Sequence, residues 1–464
     1  MFLKNFLMNL PEVKGPLQKK LSFKEKLKWT LTILIAFFVL SAIPLYGLGE
    51  NALSQFQFLS VILGASFGSI MSLGIGPIVT ASIVLQLLTG SGILNLDLTT
   101  PNGRRTFQGL QKVLAIFFII FEAFIYVFMG GLSPAQGISP WILIFQLFLG
   151  GMMVLYMDEV VSKWGFGSGV SLFIAANVSS QLFTRAFSPL NQAGQWAFGS
   201  GQAPIGAVLV FFLSLMKPDL NNAMIALAKI LATAVVFSLA VYAQAMKVEI
   251  PLSFGRIRGH GIRWPLRFIY TSNIPVILIA ALLANLQLWA RLFQNWGKPI
   301  LGTFSGNSPA SGLVLWLSPI NLIEKAITNS FKLTPWWSND ITHSIAFFIV
   351  MILGAIVFSL FWVQTAGMDA RSQAKQIMAS GLHIPGFRRD QRVLEKLLNR
   401  YIFPLTIMGA IAVGILAAGA DLMGALAHGT GILLAVMIIY RLYEDIAQQH
   451  MMDMHPALRK MMEV

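Results

Sequence analysis

The chain has 464 residues, 56% of them hydrophobic and 11% charged, with a mean hydropathy of +0.71. Soluble domains carry about 25% charged residues, so this composition excludes a soluble globular enzyme and points to a polytopic membrane protein. In a soluble protein the net charge of +14 would point to nucleic acid. Here positively charged loops on the inner side of a membrane account for it, and an anionic partner at that face is compatible with the same loops. With no cysteine, neither a disulfide framework nor a thiolate metal site is available.

Residues 1–28 hold seven lysines, with Phe2, Leu3, Phe6, Leu7 and Leu10 at roughly helical spacing. This predicts an amphipathic helix on the cytosolic interface, and no cleavable signal peptide is expected. A first crossing follows at about Trp29–Leu48. From Asn51 to Leu96 there is no Asp, Glu, Lys or Arg. One spanning helix needs roughly 20 residues, so this run is too long for one crossing and too short for three. Gly64, Gly68, Gly74, Gly76 and Pro77 break it, and such a break is tolerated only in protein or beside a watery cavity. The pattern predicts a re-entrant half-helix, then a full helix from about Gly76 to Leu88. Further crossings are expected at about 110–130, 140–157, 168–185, 225–246, 272–290, 342–364, 401–420 and 427–443. Segment 205–216 is too short to span and reads as an interfacial piece.

Ten crossings place both termini inside. They put 26 of the 33 Lys and Arg residues on the inner side, a bias lost if one helix is added or dropped. Ten divide into five and five, giving halves of inverted topology, a common plan in transport folds. The expected divisions are the segment 1–28, an N-terminal half 29–190, an outer loop 191–224, a C-terminal half 225–445 and a cytosolic tail 446–464.

Motifs for chemistry are sparse. Lys298 is followed by Pro299, so no Walker loop forms, and the six histidines are scattered. No catalytic residue, metal or cofactor is expected. Gly165, Gly167 and Gly169 lack dinucleotide spacing and read as a tight entry to a membrane helix. Glu122 lies mid-helix in an apolar segment, where a carboxylate is costly and turns inward. It reads as an ion or proton site, a polar latch between helices, or a protonated carboxyl bonded to a neighbour. Ile75 and Val79 share a helical face and are, on residues alone, simply apolar. The basic loops 247–267 and 366–400 exceed what orientation needs and suit docking to phosphate or an acidic surface.

Four ordered motifs carry a resemblance. They are Leu73-Gly-Ile-Gly-Pro-Ile-Val-Thr80, Gly167-Ser-Gly-Val-Ser-Leu-Phe-Ile174, Tyr270-Thr-Ser-Asn-Ile-Pro-Val-Ile-Leu278 and Gly429-Thr-Gly-Ile-Leu-Leu434. Together they resemble the SecY family, the large subunit of the Sec protein-conducting channel, and most closely its archaeal form. The resemblance implies an all-α membrane protein, a clamshell of two inverted five-helix halves around an hourglass pore. It implies an apolar pore ring of Ile75, Val79, Val170, Ile174, Ile277 and Leu434. It implies a plug over 51–67 that includes Ser54, Phe56, Phe58, Val61 and Gly64, and a lateral-gate cluster of Thr80, Glu122 and Asn285. Arg256, Arg258 and Arg388 are the implied cytosolic docking residues.

The implied partners are small membrane subunits of the SecE/gamma and beta types, the ribosome, nascent secretory and membrane polypeptides, a cytosolic motor and membrane lipid. The implied location is the cell membrane, or the endoplasmic reticulum membrane in a eukaryote. A secondary transporter of small solutes is the alternative that inverted halves, a broken helix and buried Glu122 leave open. A non-conducting scaffold or insertase is a third.

Overall fold

The computed structural model describes residues 11–17, 21–51, 64–90, 93–94, 100–191, 195–198, 203–216, 219–254, 261–271, 274–305, 308–328, 330, 339–379, 382–383, 390–427 and 429–454. Helix α1 spans Phe23–Ala42, with the Ser22 hydroxyl accepting from the Glu25 amide at 3.4 Å. It starts and stops about six residues before the predicted crossing. Ser22 supplies a cap upstream of the apolar window, and Ile43, which precedes Pro44, is pushed out of helical geometry. Strand β1 (Leu48–Asn51) follows, then helix α2 (Gly76–Gly90) beyond the break.

Helix α3 (Pro101–Phe128) is capped by Thr100. Strand β2 (Leu132–Pro134) pairs antiparallel with β1. Helices α4 (Pro140–Trp164) and α5 (Gly169–Phe187) follow, then short α6 (Ala207–Met216) and α7 (Leu220–Ala245). Strands β3 (Lys247–Phe254) and β4 (Gly261–Arg267) form a hairpin with Lys247 opposite Arg267, where the sequence reading expects only a basic loop. Helix α8 (Ile274–Asn295) leads to strands β5 (Phe304–Ser305) and β6 (Ser308–Pro309) and short α9 (Leu313–Trp316) and α10 (Leu322–Ile327). Then come α11 (Asp340–Thr365), α12 (Ala370–Ala379), β7 (Leu382–His383), α13 (Gln391–Leu422) and α14 (Gly429–Met454). Strand β7 adds to the hairpin beside β3, with His383 opposite Ser253. The last two helices run further than the predicted crossings, and α14 takes in part of the expected tail.

Among the described residues six helices are long and apolar enough to cross a membrane: α3, α4, α7, α8, α11 and α13. Helix α2 is apolar but short, and α1 and α14 carry charged residues within their length. Helix α8 is the centre of the packing, with 72% of its apolar window buried against 22% for α7. The main apolar core runs from α1 to α14 and includes five of the six predicted ring residues. A smaller core joins the β3–β4 hairpin to α12 and the first turns of α13.

The base of the re-entrant segment is tied to the end of α1. The Leu45 amide donates to Gly68 O at 2.9 Å, the Ile70 amide to Ile43 O at 3.0 Å, and the Ser66 hydroxyl to Ser41 O at 3.1 Å. Asn51 Nδ2 donates to Phe67 O at 3.1 Å, so the two ends of the segment meet. Gly150 of α4 lies so close that a Cβ there would stand 2.0 Å from Ile70 O. Residues 11–14 form a strap across α3 and α4. Lys112 donates to Pro11 O and pairs with Glu159, whose other oxygen accepts from the Val13 amide at 2.9 Å. Lys163 pairs with Glu12, and Trp164 Nε1 donates to Lys14 O at 2.9 Å.

Candidate functional site

The site begins at the break. Gly74 has φ +53°, a left-handed conformation that glycine adopts without steric cost. Pro77 then falls in the first turn of α2, where its missing amide costs nothing. Ile75 and Val79, four apart, face one way, and both are buried. Ile174 on α5, Ile277 on α8 and Leu434 on α14 are buried too, and Val170 is half-buried against the same core. Val79, Val170 and Ile277 line one cavity of about 470 Å³ together with Ser82, Gln86, Gln111, Asp158 and Arg441. Ile75, Ile174 and Leu434 are fully enclosed in the adjacent core. Gly64, with φ +54°, lies under this layer: a Cβ there would stand 3.7 Å from Ile75 Cγ2. The sealed side thus meets the end of the re-entrant segment, and the opposite side opens into the cavity.

Three predicted polar residues meet beside this layer. Asn285 Nδ2 donates to Thr80 Oγ1 at 2.9 Å, and Thr80 Oγ1 lies 2.8 Å from Gly76 O and 3.4 Å from Glu122 Oε1. One hydroxyl therefore joins α2, α3 and α8. Glu122 is 2% exposed. Its Oε2, Asn285 Oδ1 and the Tyr126 hydroxyl are buried with no hydrogen-bond partner among the described residues. An unsatisfied buried polar group costs about 1–3 kcal/mol, so the cluster is a weak join, not an optimised one.

Ser54, Phe56, Phe58 and Val61, and likewise Arg256, Arg258 and Arg388, lie outside the described residues. Sequence reasoning missed several polar contacts around the site. Gln111 Nε2 donates to Ser82 Oγ at 2.7 Å at the cavity wall. Arg267 pairs with Glu444 at 2.6 Å, tying the hairpin to α14. Asp158 and Asp421 each bind the start of the following helix. Their signal was the glycine-flanked helix starts: Gly165, Gly167 and Gly169 read as a tight entry to a membrane helix, with no carboxylate assigned to it.

The SecY family profile matches residues 69–443, and that of the plug domain of Sec61p matches residues 35–68. The chain belongs to the SecY family. The protein translocase subunit SecY of Methanothermobacter thermautotrophicus is 47% identical over 455 residues, covering 97% of this chain and 96% of the relative. That of Pyrococcus furiosus is 43% identical over 465 residues, with the same shares covered. A solved structure of a protein conducting channel is 39% identical, with TM-score 0.81 and 98% of both chains covered. Sec61 in a canine ribosome–channel complex from the endoplasmic reticulum is 39% identical, with TM-score 0.78 and the same coverage. The chain is thus a multi-pass helical membrane protein of the SecY fold and a protein-conducting channel subunit. The plug match ends at Gly68, the residue before the SecY match begins, and Gly68 O is hydrogen-bonded to the Leu45 amide just past the end of α1.

Proposed function

We propose that this channel subunit passes unfolded polypeptides through the apolar layer and releases apolar segments sideways through a gate held by Thr80, Glu122 and Asn285. The observation that carries the reading is the buried layer of Ile75, Val79, Ile174, Ile277 and Leu434, closed against Gly64 on one side and open to a cavity on the other. A chain in transit carries every kind of side chain. A pore with specific binding groups would hold some of them, whereas an apolar ring binds none strongly and excludes ions by dewetting when closed. Lateral release follows from partitioning. Leu or Ile at a helix centre gains about 0.3–0.6 kcal/mol in the membrane, and Arg or Asp costs about 2.5–3.5 kcal/mol.

The crossings of this reading are α1, α2, α3, α4, α5, α7, α8, α11, α13 and α14, in two inverted halves forming a clamshell with an hourglass pore. Both termini lie on the cytosolic side of the cell membrane, or of the endoplasmic reticulum membrane in a eukaryote. Residues 51–67 are the plug. Small SecE/gamma- and beta-type subunits and lipid surround the helices. The ribosome, or a cytosolic motor, docks on Arg256, Arg258 and Arg388 and supplies the driving force. The structure of Sec61 in a ribosome–channel complex supports the ribosome as that partner. A solute transporter finds less support, because the neighbours bonded to Glu122 and its cluster, Thr80 and Asn285, are neutral.

The test is to replace the six ring residues by Gly or Ser in reconstituted vesicles. Raised ion leak and relaxed signal-sequence selectivity are expected. If both stay at wild-type level, the ring assignment is wrong.

A further inference from the structure

Helices α5 and α14 begin alike, with Gly167-Ser168-Gly169-Val170 and Gly429-Thr430-Gly431-Ile432. Each start is held by an aspartate from the preceding helix. Ser168 makes no side-chain bond to the turn it precedes. Instead Asp158, from the last two turns of α4, accepts from the Val170 amide at 2.9 Å, and the Gly169 amide and Ser168 hydroxyl face the same carboxylate. The approach is tight: a Cβ on Gly169 would stand 2.5 Å from Asp158 Cα. At α14 a carboxylate from the preceding helix again grips the start, on the second residue of the motif where Asp158 takes the fourth. Asp421, at the end of α13, accepts the Thr430 amide on Oδ1 at 3.1 Å and the Thr430 hydroxyl on Oδ2. Asp421 is buried.

The gripped amide at α5 belongs to Val170, itself assigned to the ring, and each gripped amide stands one turn before a further ring residue. Val170 precedes Ile174 by four positions, and Thr430 precedes Leu434 by four, so grip and ring share a helical face. A carboxylate at a helix N-terminus is favoured by the helix dipole and satisfies amides that otherwise lack partners. A carboxylate away from water is costly; Asp421 is buried and Asp158 lines the cavity, and amide and hydroxyl donors converge on each.

We propose that Asp158 and Asp421 are matched positioning residues, one in each half, which hold Ile174 and Leu434 in the closed ring by gripping the start of the helix that bears each. This rests on the ring assignment proposed above.

The experiment uses the full-length chain assembled with its small membrane subunits in lipid vesicles. The variants are Asp158→Ala, Asp421→Ala, Asp158→Asn, Asp421→Asn and, for the ring itself, Ile174→Gly. Two quantities are read: amide hydrogen exchange over residues 168–175 and 430–435, and resting ion leak. Bonds to a charged acceptor are strong enough that their loss speeds exchange by about tenfold or more. Each Ala variant is expected to show this in its own helix only, with raised leak. The Asn variants, which keep one acceptor oxygen, recover most of both. Unchanged exchange in the Ala variants overturns the proposal. So does faster exchange without leak when Ile174→Gly leaks. If Ile174→Gly itself stays tight, the ring reading fails and the proposal falls with it, even where exchange is faster. Should an Ala variant not assemble, Ser168→Ala and Thr430→Val remove one leg of each grip and are judged by the same criteria.

Discussion

Asn285 and Thr80, 205 positions apart in the chain, meet through a 2.9 Å hydrogen bond from the Asn285 side-chain amide to the Thr80 hydroxyl. This bond joins the most buried helix, α8, to the helix that follows the break in the re-entrant run. Its second link, to Glu122, is the longer at 3.4 Å. In the gate proposed above, such a join opens at modest cost.

The sign of a latch mutation depends on whether one partner or the whole cluster of Thr80, Glu122 and Asn285 is removed. Thr80→Ala leaves Asn285 Nδ2 without its bond partner in the closed state and weakens closure by about 1–3 kcal/mol. The expected outcome is that less apolar segments enter the membrane. Replacing Thr80 by Val, Asn285 by Leu and Glu122 by Met together, so that no buried member of the cluster is left unpaired, leaves an apolar contact that is neutral or favourable. The gate then demands more apolar segments than in the wild type. Insertion efficiency across a series of segments graded in leucine content measures both, and a shift of the same sign in the two variants contradicts the latch.

The strap at residues 11–14 is pH-sensitive through Glu12. Its hydrogen bond to Lys163 holds the carboxyl below its ordinary value of 4.5, against a smaller opposing effect of burial. A depressed folded-state value means that the ion pair's contribution is present above about pH 4.5 and is lost as pH falls through the folded value. Limited proteolysis between residues 11 and 21 is expected to stay slow at neutral pH and to quicken in acid. Lys163→Met raises the neutral-pH rate and shrinks the acid step, while the bonds to the strap from Lys112, Glu159 and Trp164 remain.

The basic loops give a salt-dependent prediction. Reversing the charge of Arg256, Arg258 and Arg388 to Glu is expected to weaken ribosome binding, and the loss is largest at low ionic strength, where screening is least. Co-sedimentation with ribosomes over a salt series measures it. Unchanged binding removes these residues from the docking surface.

The sequence carried the parts of this fold that depend on neighbouring residues. Gly74, Gly76 and Pro77 marked the start of α2 because backbone chemistry there is local, and Gly167 and Gly169 marked the start of α5 for the same reason. Helix ends were displaced where a cap lies outside the apolar window. Ser22 starts α1 before Trp29, and Asp390, accepting from the Arg392 amide at 2.9 Å, starts α13 before Tyr401. Hydropathy locates the stretch that suits lipid, whereas capping fixes where the helix begins. Val248, Ile250 and Leu252 alternate with Glu249, Pro251 and Ser253, a period-two signal of the β3–β4 hairpin that the count of arginines obscured. The pairing of Thr80 with Asn285 has no local signal, and only the resemblance placed them together.

Packing beneath the break separates two adjacent glycines of α4. A Cβ at Gly150 would stand 2.0 Å from Ile70 O, a backbone atom already fixed by the bond from the Ile70 amide to Ile43 O. A Cβ at Gly151 would meet Ile119 Cγ2 at 2.6 Å and Cγ1 at 3.0 Å. These are side-chain atoms of a buried β-branched residue that has one favoured rotamer in a helix, so this change is destabilising too but asks no backbone atom to move. Overpacking costs about 1–3 kcal/mol, and the upper end applies where backbone has to move. Gly150→Ala is therefore expected to lower thermal stability clearly more than Gly151→Ala. It also lifts the base of the re-entrant segment away from α4, so its resting ion leak rises while that of Gly151→Ala stays near wild type. Thermal unfolding and vesicle conductance on the two variants decide this, and equal effects would mean that the approach of Gly150 to Ile70 does not set the position of the re-entrant base.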